Sequence, residues 1–131
     1  MNSTEYSLVS APTIAGERFI RMLKLKELPF AVITNNDAEQ QKWIKLGAEH
    51  VIPIDTEELG NQSVPEYPIG NVFLFENGLS DCCRYLQMTR SWTSKSIYVI
   101  TANEQSRFVF KKFGADYVIH SKSGDMPFLI S

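Results

Sequence analysis

The chain has 131 residues and a mass of 14.9 kDa, the size of one domain able to bury its own core. Hydrophobic residues make up 44% and charged residues 21%, ordinary values that exclude a disordered chain. Thirteen basic residues against fifteen acidic ones give a net charge of −2, which excludes a generally basic nucleic-acid binder.

Strand-like and helix-like segments then alternate. Tyr6–Ser10 is a short apolar strand. From Pro12 or Thr13 to Glu27 the periodicity is helical, with Ile14, Phe19, Ile20 and Leu23 on one face. Arg18, Arg21, Lys24 and Lys26 take the other positions. Pro29 stops this helix, and Phe30–Thr34 reads as a strand buried on both faces. Asn35 or Asn36 caps the next helix, with Asp37 and Glu39 in its first turn, where the helix dipole favours acids. It runs to about Leu46, and Gly47 is its C-terminal cap. His50–Ile54 is the third strand. Residues 55–70 carry Gly60, Pro65, Pro68 and Gly70 and are predicted irregular, with one helical turn at Thr56–Leu59. Asn71–Phe75 is the fourth strand, followed by a helix from Leu79 to about Ser91 capped by Ser80 or Asn77. Ser96–Thr101 is the fifth strand. Asn103 opens a helix through Phe113, closed by Gly114, and Tyr117–Ile119 is the sixth strand. The tail, Ser121–Ser131, contains the apolar run Phe128–Ile130.

Half of this pattern is repeated. Residues 30–52 align without a gap on residues 97–119, with nine identities in 23 positions. Val32-Ile-Thr34 matches Val99-Ile-Thr101, Asn36 matches Asn103, and Lys45 matches Lys112. Gly47-Ala48 matches Gly114-Ala115, and Val51-Ile52 matches Val118-Ile119. The period of 67 residues is too long for a solenoid. Two βαβ-based halves of an α/β domain fit it. The expected fold class is therefore a three-layer, doubly wound, parallel six-stranded sheet of Rossmann-like type, order 3-2-1-4-5-6, spanning 1–131 as one domain. A receiver-type flavodoxin-like fold is the rival, but of its acidic positions only Asp55 is present.

Ile97–Glu104 together with Lys112–Ile119 resembles the end of an RCK domain. These domains, also called TrkA-N domains, are the nucleotide-binding regulatory domains of potassium channels and transporters. In them a strand is followed by a helix ending in Leu-Gly-Ala-Asp-x-Val-Ile. The likeness is best from about residue 71 to 121. The first copy, Lys45–Ile52, also resembles the nucleotide domain of zinc-type alcohol dehydrogenases and quinone reductases. Both resemblances imply a Rossmann-like fold. RCK domains continue past their sixth strand into a crossing helix that helps them dimerise. Here Phe128–Ile130 is the candidate for such docking, the alternative being that it packs on its own sheet.

A Rossmann dinucleotide site needs Gly-x-Gly-x-x-Gly after the first strand, for a tight turn and for close approach of the pyrophosphate. The chain instead reads Ser10-Ala-Pro-Thr-Ile-Ala15, then Gly16, so serine, proline and alanine stand where glycines are expected. Pro12 supplies no N–H. A carboxylate should end the second strand and hold the ribose, but Thr34, Asn35 and Asn36 stand there, and Asp37 comes too late. The crevice of such a sheet lies beyond the strand ends where strand order reverses. Its candidate lining is Ser10, Ala11, Pro12, Thr13, Thr34, Asn35, Asn36, Glu76 and Asn77, with Thr101–Asn103 at the fifth strand. Helix capping is the competing explanation for Asn36, Asn77 and Asn103.

Other candidates are weaker. His50 and His120 lie at or beside equivalent strand positions but lack metal-ligand spacing. Cys82 and Cys83 are neighbours, so they cannot staple distant segments, and they read as small helix residues in a reducing compartment. Asp55, Glu57 and Glu58 read as a solvated loop, and Arg84 and Arg90 with Trp92 as an interaction patch or, more commonly, a helix surface with a tucked aromatic. There is no Walker loop and no Gly-x-Ser-x-Gly. The N-terminus lacks a signal peptide's basic start and apolar run, and no apolar stretch is long enough to span a membrane.

The sequence thus points to a non-enzymatic, cytoplasmic regulatory or interaction domain with a degenerate dinucleotide site and no bound cofactor. It would act through a protein partner or as a homodimer. The alternatives are a nucleotide or small-ligand sensor of RCK type regulating potassium transport, using Ser10, Thr13 and Asn35, and an NAD(P)-dependent oxidoreductase. The last lacks both room for a substrate domain and a nameable acid or base.

Overall fold

The computed structural model describes residues 4–54 and 64–121. Six strands, β1 (Tyr6–Ser10), β2 (Phe30–Thr34), β3 (His50–Pro53), β4 (Ile69–Phe75), β5 (Ile97–Thr101) and β6 (Tyr117–His120), alternate with helices. The helices are α1 (Ile14–Leu25), α2 (Asp37–Lys45), α3 (Leu79–Arg90) and α4 (Arg107–Lys112). All neighbouring strands are parallel, in the order β3-β2-β1-β4-β5-β6. This is the predicted doubly wound sheet.

The winding explains the two cores. From β1 the chain moves outward through β2 to β3, then returns to the middle and moves the other way through β4 to β6. Right-handed crossovers in opposite directions put their helices on opposite faces. Phe19, Ile20 and Leu23 of α1 and Trp43 of α2 pack on one face with Val9, Val32 and Phe73. Tyr85 and Leu86 of α3 and Phe110 of α4 pack on the other with Leu8, Ile33 and Val99. Every residue of β2 is buried, as its continuous apolar run requires.

Capping follows the sequence in part. Thr13 caps α1, accepting from the Gly16 N–H at 3.0 Å. Asn36 caps α2, accepting from the Glu39 N–H at 2.7 Å. Gly47 and Gly114 follow α2 and α4 with φ of 91° and 118°, the left-handed conformation in which a glycine has no Cβ penalty. Three expectations change. Neither Ser80 nor Asn77 caps α3: Gly78 is the cap residue, and its N–H is taken by Glu76 at 2.5 Å. The last helix opens as a 3₁₀ turn, Glu104–Ser106, before α4. β4 starts at Ile69 rather than Asn71, because Ile69 already pairs with Tyr6 of β1; the Thr93 hydroxyl also bonds the carbonyls of Ile69 and Gly70.

Arg90 ends α3 as a clasp rather than an interaction patch. Its guanidinium donates to the Gly114, Thr93 and Lys95 carbonyls and to the Asp116 carboxylate. Trp92 is buried beside it. No helix among the described residues is long and apolar enough to cross a membrane. The expected turn at Thr56–Leu59, the acids Asp55, Glu57 and Glu58, and the run Phe128–Ile130 lie outside the described residues.

Candidate functional site at the strand ends

Strand order reverses between β1 and β4, so the chains leaving their carboxyl ends diverge and open a crevice. A cleft of about 400 Å³ occupies that place, walled by the ends of β1, β2 and β4 and the first turns of α2 and α3. This volume lies in the range of small-molecule sites. Of the nine predicted residues, Ser10, Pro12, Thr34, Asn35, Asn36 and Asn77 line it.

The other three are turned to structural work. Ala11 is buried under the β1–α1 turn, where a Cβ on Gly16 would sit only 2.7 Å from the Ala11 Cα and 3.1 Å from Phe75. This contact sets the register of the nucleotide motif. Its three glycine places fall on Ala11, Thr13 and Gly16, not on the serine, proline and alanine the sequence suggested, and the third, which allows close helix–strand packing, is still glycine. Thr13 spends its hydroxyl on the α1 cap. Glu76 accepts from the Thr101 hydroxyl at 2.7 Å and from the Gly78 N–H, so both carboxylate oxygens are engaged.

Beside the apolar Ile33, Leu74 and Phe75, five lining residues with titratable side chains escaped the sequence reading: Glu39, Lys42, Asp81, Cys82 and Tyr85. A signal for three of them existed. Asp81, Cys82 and Tyr85 fall at helical spacing on one face of α3, directly after a strand. Glu39 lies one turn into α2, yet its carboxylate reaches the Thr34 hydroxyl at 3.3 Å. It thereby stands at the β2 end, where a strand-end carboxylate was sought. Across the cleft, the Asn35 amide donates to Asp81 at 3.3 Å. Lys42 is drawn aside by Glu17 at 2.9 Å, and Glu17 also holds Arg21. These two cations hold the Glu17 carboxyl below its ordinary pKa.

Ile33, Leu74, Phe75 and Tyr85 also line the cleft, though all four are almost wholly buried. Burial, then the charges of Asp81 and Glu39, push the Tyr85 phenol far up. Burial also pushes the Cys82 thiol far up, assisted by Cys83, Glu76 and Asp81. Both groups are therefore neutral at physiological pH, and the thiol is no ready nucleophile. His50 is packed between rings, stacked on Tyr67 with centroids 4.3 Å apart and edge-on to Tyr6 at 4.9 Å. His120 Nε2 lies 3.0 Å from the Ala102 carbonyl. Among the described residues, no group of three His, Cys, Asp or Glu side chains converges as a metal site.

No family model matches this sequence, and no curated protein does. Solved structures do match in shape. One is the GsuK channel bound to NAD, with 16% identity and a TM-score of 0.70, covering 90% of this chain and 22% of that one. GsuK bound to ADP has 16% identity and a TM-score of 0.69, with 91% and 32% covered. The TrkA-N domain of the inner membrane protein ybaL from Escherichia coli has 12% identity and a TM-score of 0.70, and both chains are covered in full. The chain thus spans between about a fifth and a third of the GsuK chains it matches. At these identities the likeness is one of fold: this chain has the Rossmann-like fold of RCK and TrkA-N domains.

Proposed function

We propose that this is a non-enzymatic regulatory or interaction domain that has kept the RCK framework and lost its ordinary dinucleotide site. It occupies residues 1–131 as one cytoplasmic domain and works through a protein partner or as a homodimer. The observation that carries the reading is the β1–α1 turn. A dinucleotide's pyrophosphate rests on free N–H groups at the start of the first helix, reached over small residues. Here Pro12 has no N–H to offer, and the Gly16 N–H is already taken by Thr13. The second glycine place carries the Thr13 side chain. The neutral thiol and phenol in the cleft likewise supply no acid–base pair for turnover.

The test is thermal unfolding of the purified chain with NAD, NADH, ATP, ADP and cyclic dinucleotides, alongside light scattering for its mass in solution. The expected result is no shift of several degrees with any of them and the mass of a dimer. A saturable shift with NAD or ATP overturns the reading of the site.

The sensor reading has one observation in its favour, the open cleft itself. GsuK structures are described as bound to NAD and to ADP, so a nucleotide-responsive domain regulating potassium transport is the second reading. The same titration separates the two.

A further inference from the structure

A second hollow lies at the end of the sheet opposite to the cleft, between the ends of α1 and α2. It is a groove of about 230 Å³, smaller than the roughly 300 Å³ at which small-molecule sites begin. Leu25, which is 84% exposed, and the half-buried Leu46 and Ala48 wall it. Phe30 and Trp43 close its floor and are themselves buried.

The internal repeat shows what such a groove holds. Phe30, Trp43, Leu46 and Ala48 stand 67 positions before Ile97, Phe110, Phe113 and Ala115. In the second copy Ile97, Phe110 and Ala115 form one buried cluster with Trp92, and Phe113 packs against it. Trp92 stands five residues before β5 and is 8% exposed. Five residues before β2 stands Leu25, which stays in solvent. The second copy thus supplies its own indole, and the first leaves the matching place open. A pocket of this size beside an exposed apolar side chain suits a single anchor residue at a protein interface.

The charge of the rim names the partner. Arg21 and Lys24 line the groove, and among the described residues no carboxylate does. Arg21 shares Glu17 with Lys42, and Lys24 donates to the Leu46 carbonyl, which cancels no charge. Glu27 and Glu49 line a separate hollow beyond Lys24. The rim is therefore basic on a chain whose net charge is −2. A symmetric pair would set this rim against itself, which like charges oppose. We propose that the groove receives one aromatic side chain from an acidic segment of a partner protein. This rests on the reading that the domain works through a protein partner.

The probe is the synthetic peptide acetyl-Asp-Glu-Trp-Glu-Asp-amide, titrated calorimetrically into the 131-residue chain. Saturable binding that weakens as salt rises is expected. Alanine in place of the peptide's tryptophan should cost at least about tenfold in affinity. Leu25→Trp gives the first copy the indole of the second at an exposed position. Its melting temperature should be retained while peptide affinity falls at least about tenfold. Lys24→Gln should weaken binding about two- to fivefold and flatten its salt dependence. If the peptide gives no heat at millimolar concentration, the groove assignment falls, while the partner reading, carried by the β1–α1 turn and tested with nucleotides, stands. Peptide binding together with a nucleotide-induced thermal shift overturns that reading and keeps the groove. Binding that Leu25→Trp leaves untouched, or equal binding of acetyl-Lys-Lys-Trp-Lys-Lys-amide, overturns the assignment. So does a dimer that Leu25→Trp splits, which gives the groove to a second copy, or sedimentation with phosphatidylserine vesicles that the acidic peptide does not reverse.

Discussion

The two copies of the internal repeat end their first strand alike and use that end differently. β2 and β5 both close on Thr-x-Asn, and in both the asparagine N–H donates to the threonine hydroxyl, at 3.4 Å for Asn36 and 2.9 Å for Asn103. In the second copy the Thr101 hydroxyl donates to Glu76 of the neighbouring strand at 2.7 Å, and Glu76 also ties down Gly78. That end is closed. In the first copy the Thr34 hydroxyl has only long contacts, 3.3 Å to Glu39 and to the Asn36 carbonyl, and it lines the cleft. The sequence motif is one and the same; position in the sheet makes the difference. β2 lies beside β1, where strand order reverses, whereas β5 lies beside β4, which continues in the same direction. A crevice opens only at the reversal.

The copies also send equivalent aromatics to opposite faces. Trp43 of α2 and Phe110 of α4 align in the repeat, yet they belong to separate cores. Replacing either by alanine should cost about 3–5 kcal/mol in denaturant unfolding. Because the sheet separates them, the double variant should be additive within about 0.5 kcal/mol. A large coupling energy would break the picture of two independent cores.

The glycines give the next effect. Gly47→Ala and Gly114→Ala each force a Cβ into left-handed backbone, at about 1–2 kcal/mol. At Gly47 the new methyl meets the far end of Lys24, a flexible chain that can move away. At Gly114 it comes within 3.2 Å of Arg90 Cδ, which four hydrogen-bond partners hold in place. Gly114→Ala should therefore cost more than its counterpart. Equal losses on calorimetric melting would mean that the clasp is loose.

At the strand ends, Thr101→Val removes a short bond to a carboxylate and should cost about 1–2 kcal/mol. Thr34→Val gives up only long contacts and should cost less than about 0.5 kcal/mol. If the order is reversed, the contrast between a closed end and an open one fails.

The smallest effect is on pH dependence. Burial works to raise the Asp116 pKa, but the Ile97 N–H and the Arg90 guanidinium outweigh it, leaving the carboxyl below its ordinary value near 3.8. A depressed folded pKa adds stability above the unfolded value, and that stability is lost as pH falls through the folded one. Unfolding below about pH 4 should therefore be less steep in Asp116→Asn. The change will be slight, because solvent screens this half-exposed pair. An acid limb identical to that of the unaltered chain would remove Asp116 from the clasp.

Much of this was legible in the residues themselves. Continuous apolar strands and a 67-residue repeat yield a parallel sheet and its strand order, because hydrophobic period and winding direction are properties of the chain. Asn36 announces its cap locally, as do Gly47 and Gly114 at the other helix ends, whereas Thr13 reads as a crevice residue until its hydroxyl is found on the Gly16 N–H. Gly78 does not, since its partner Glu76 looks like a crevice residue until Thr101 is placed beside it. Asp81 and Tyr85 share one face of a helix that follows a strand, but only the winding of the sheet places that face over a cleft.

The amino-acid order determines which elements form, which faces are apolar and where helices end, since these depend on neighbours a few residues away. It also leaves the nucleotide motif short of glycines, while the packing of Gly16 sets the register of that motif. Only the tertiary structure decides which strand ends open and which close. That depends on residues 25 to 46 positions apart, Glu76 with Thr101 and Asn35 with Asp81, meeting across the sheet. The cleft itself belongs to the same class, because winding in two directions is what separates β1 from α3 at the strand ends.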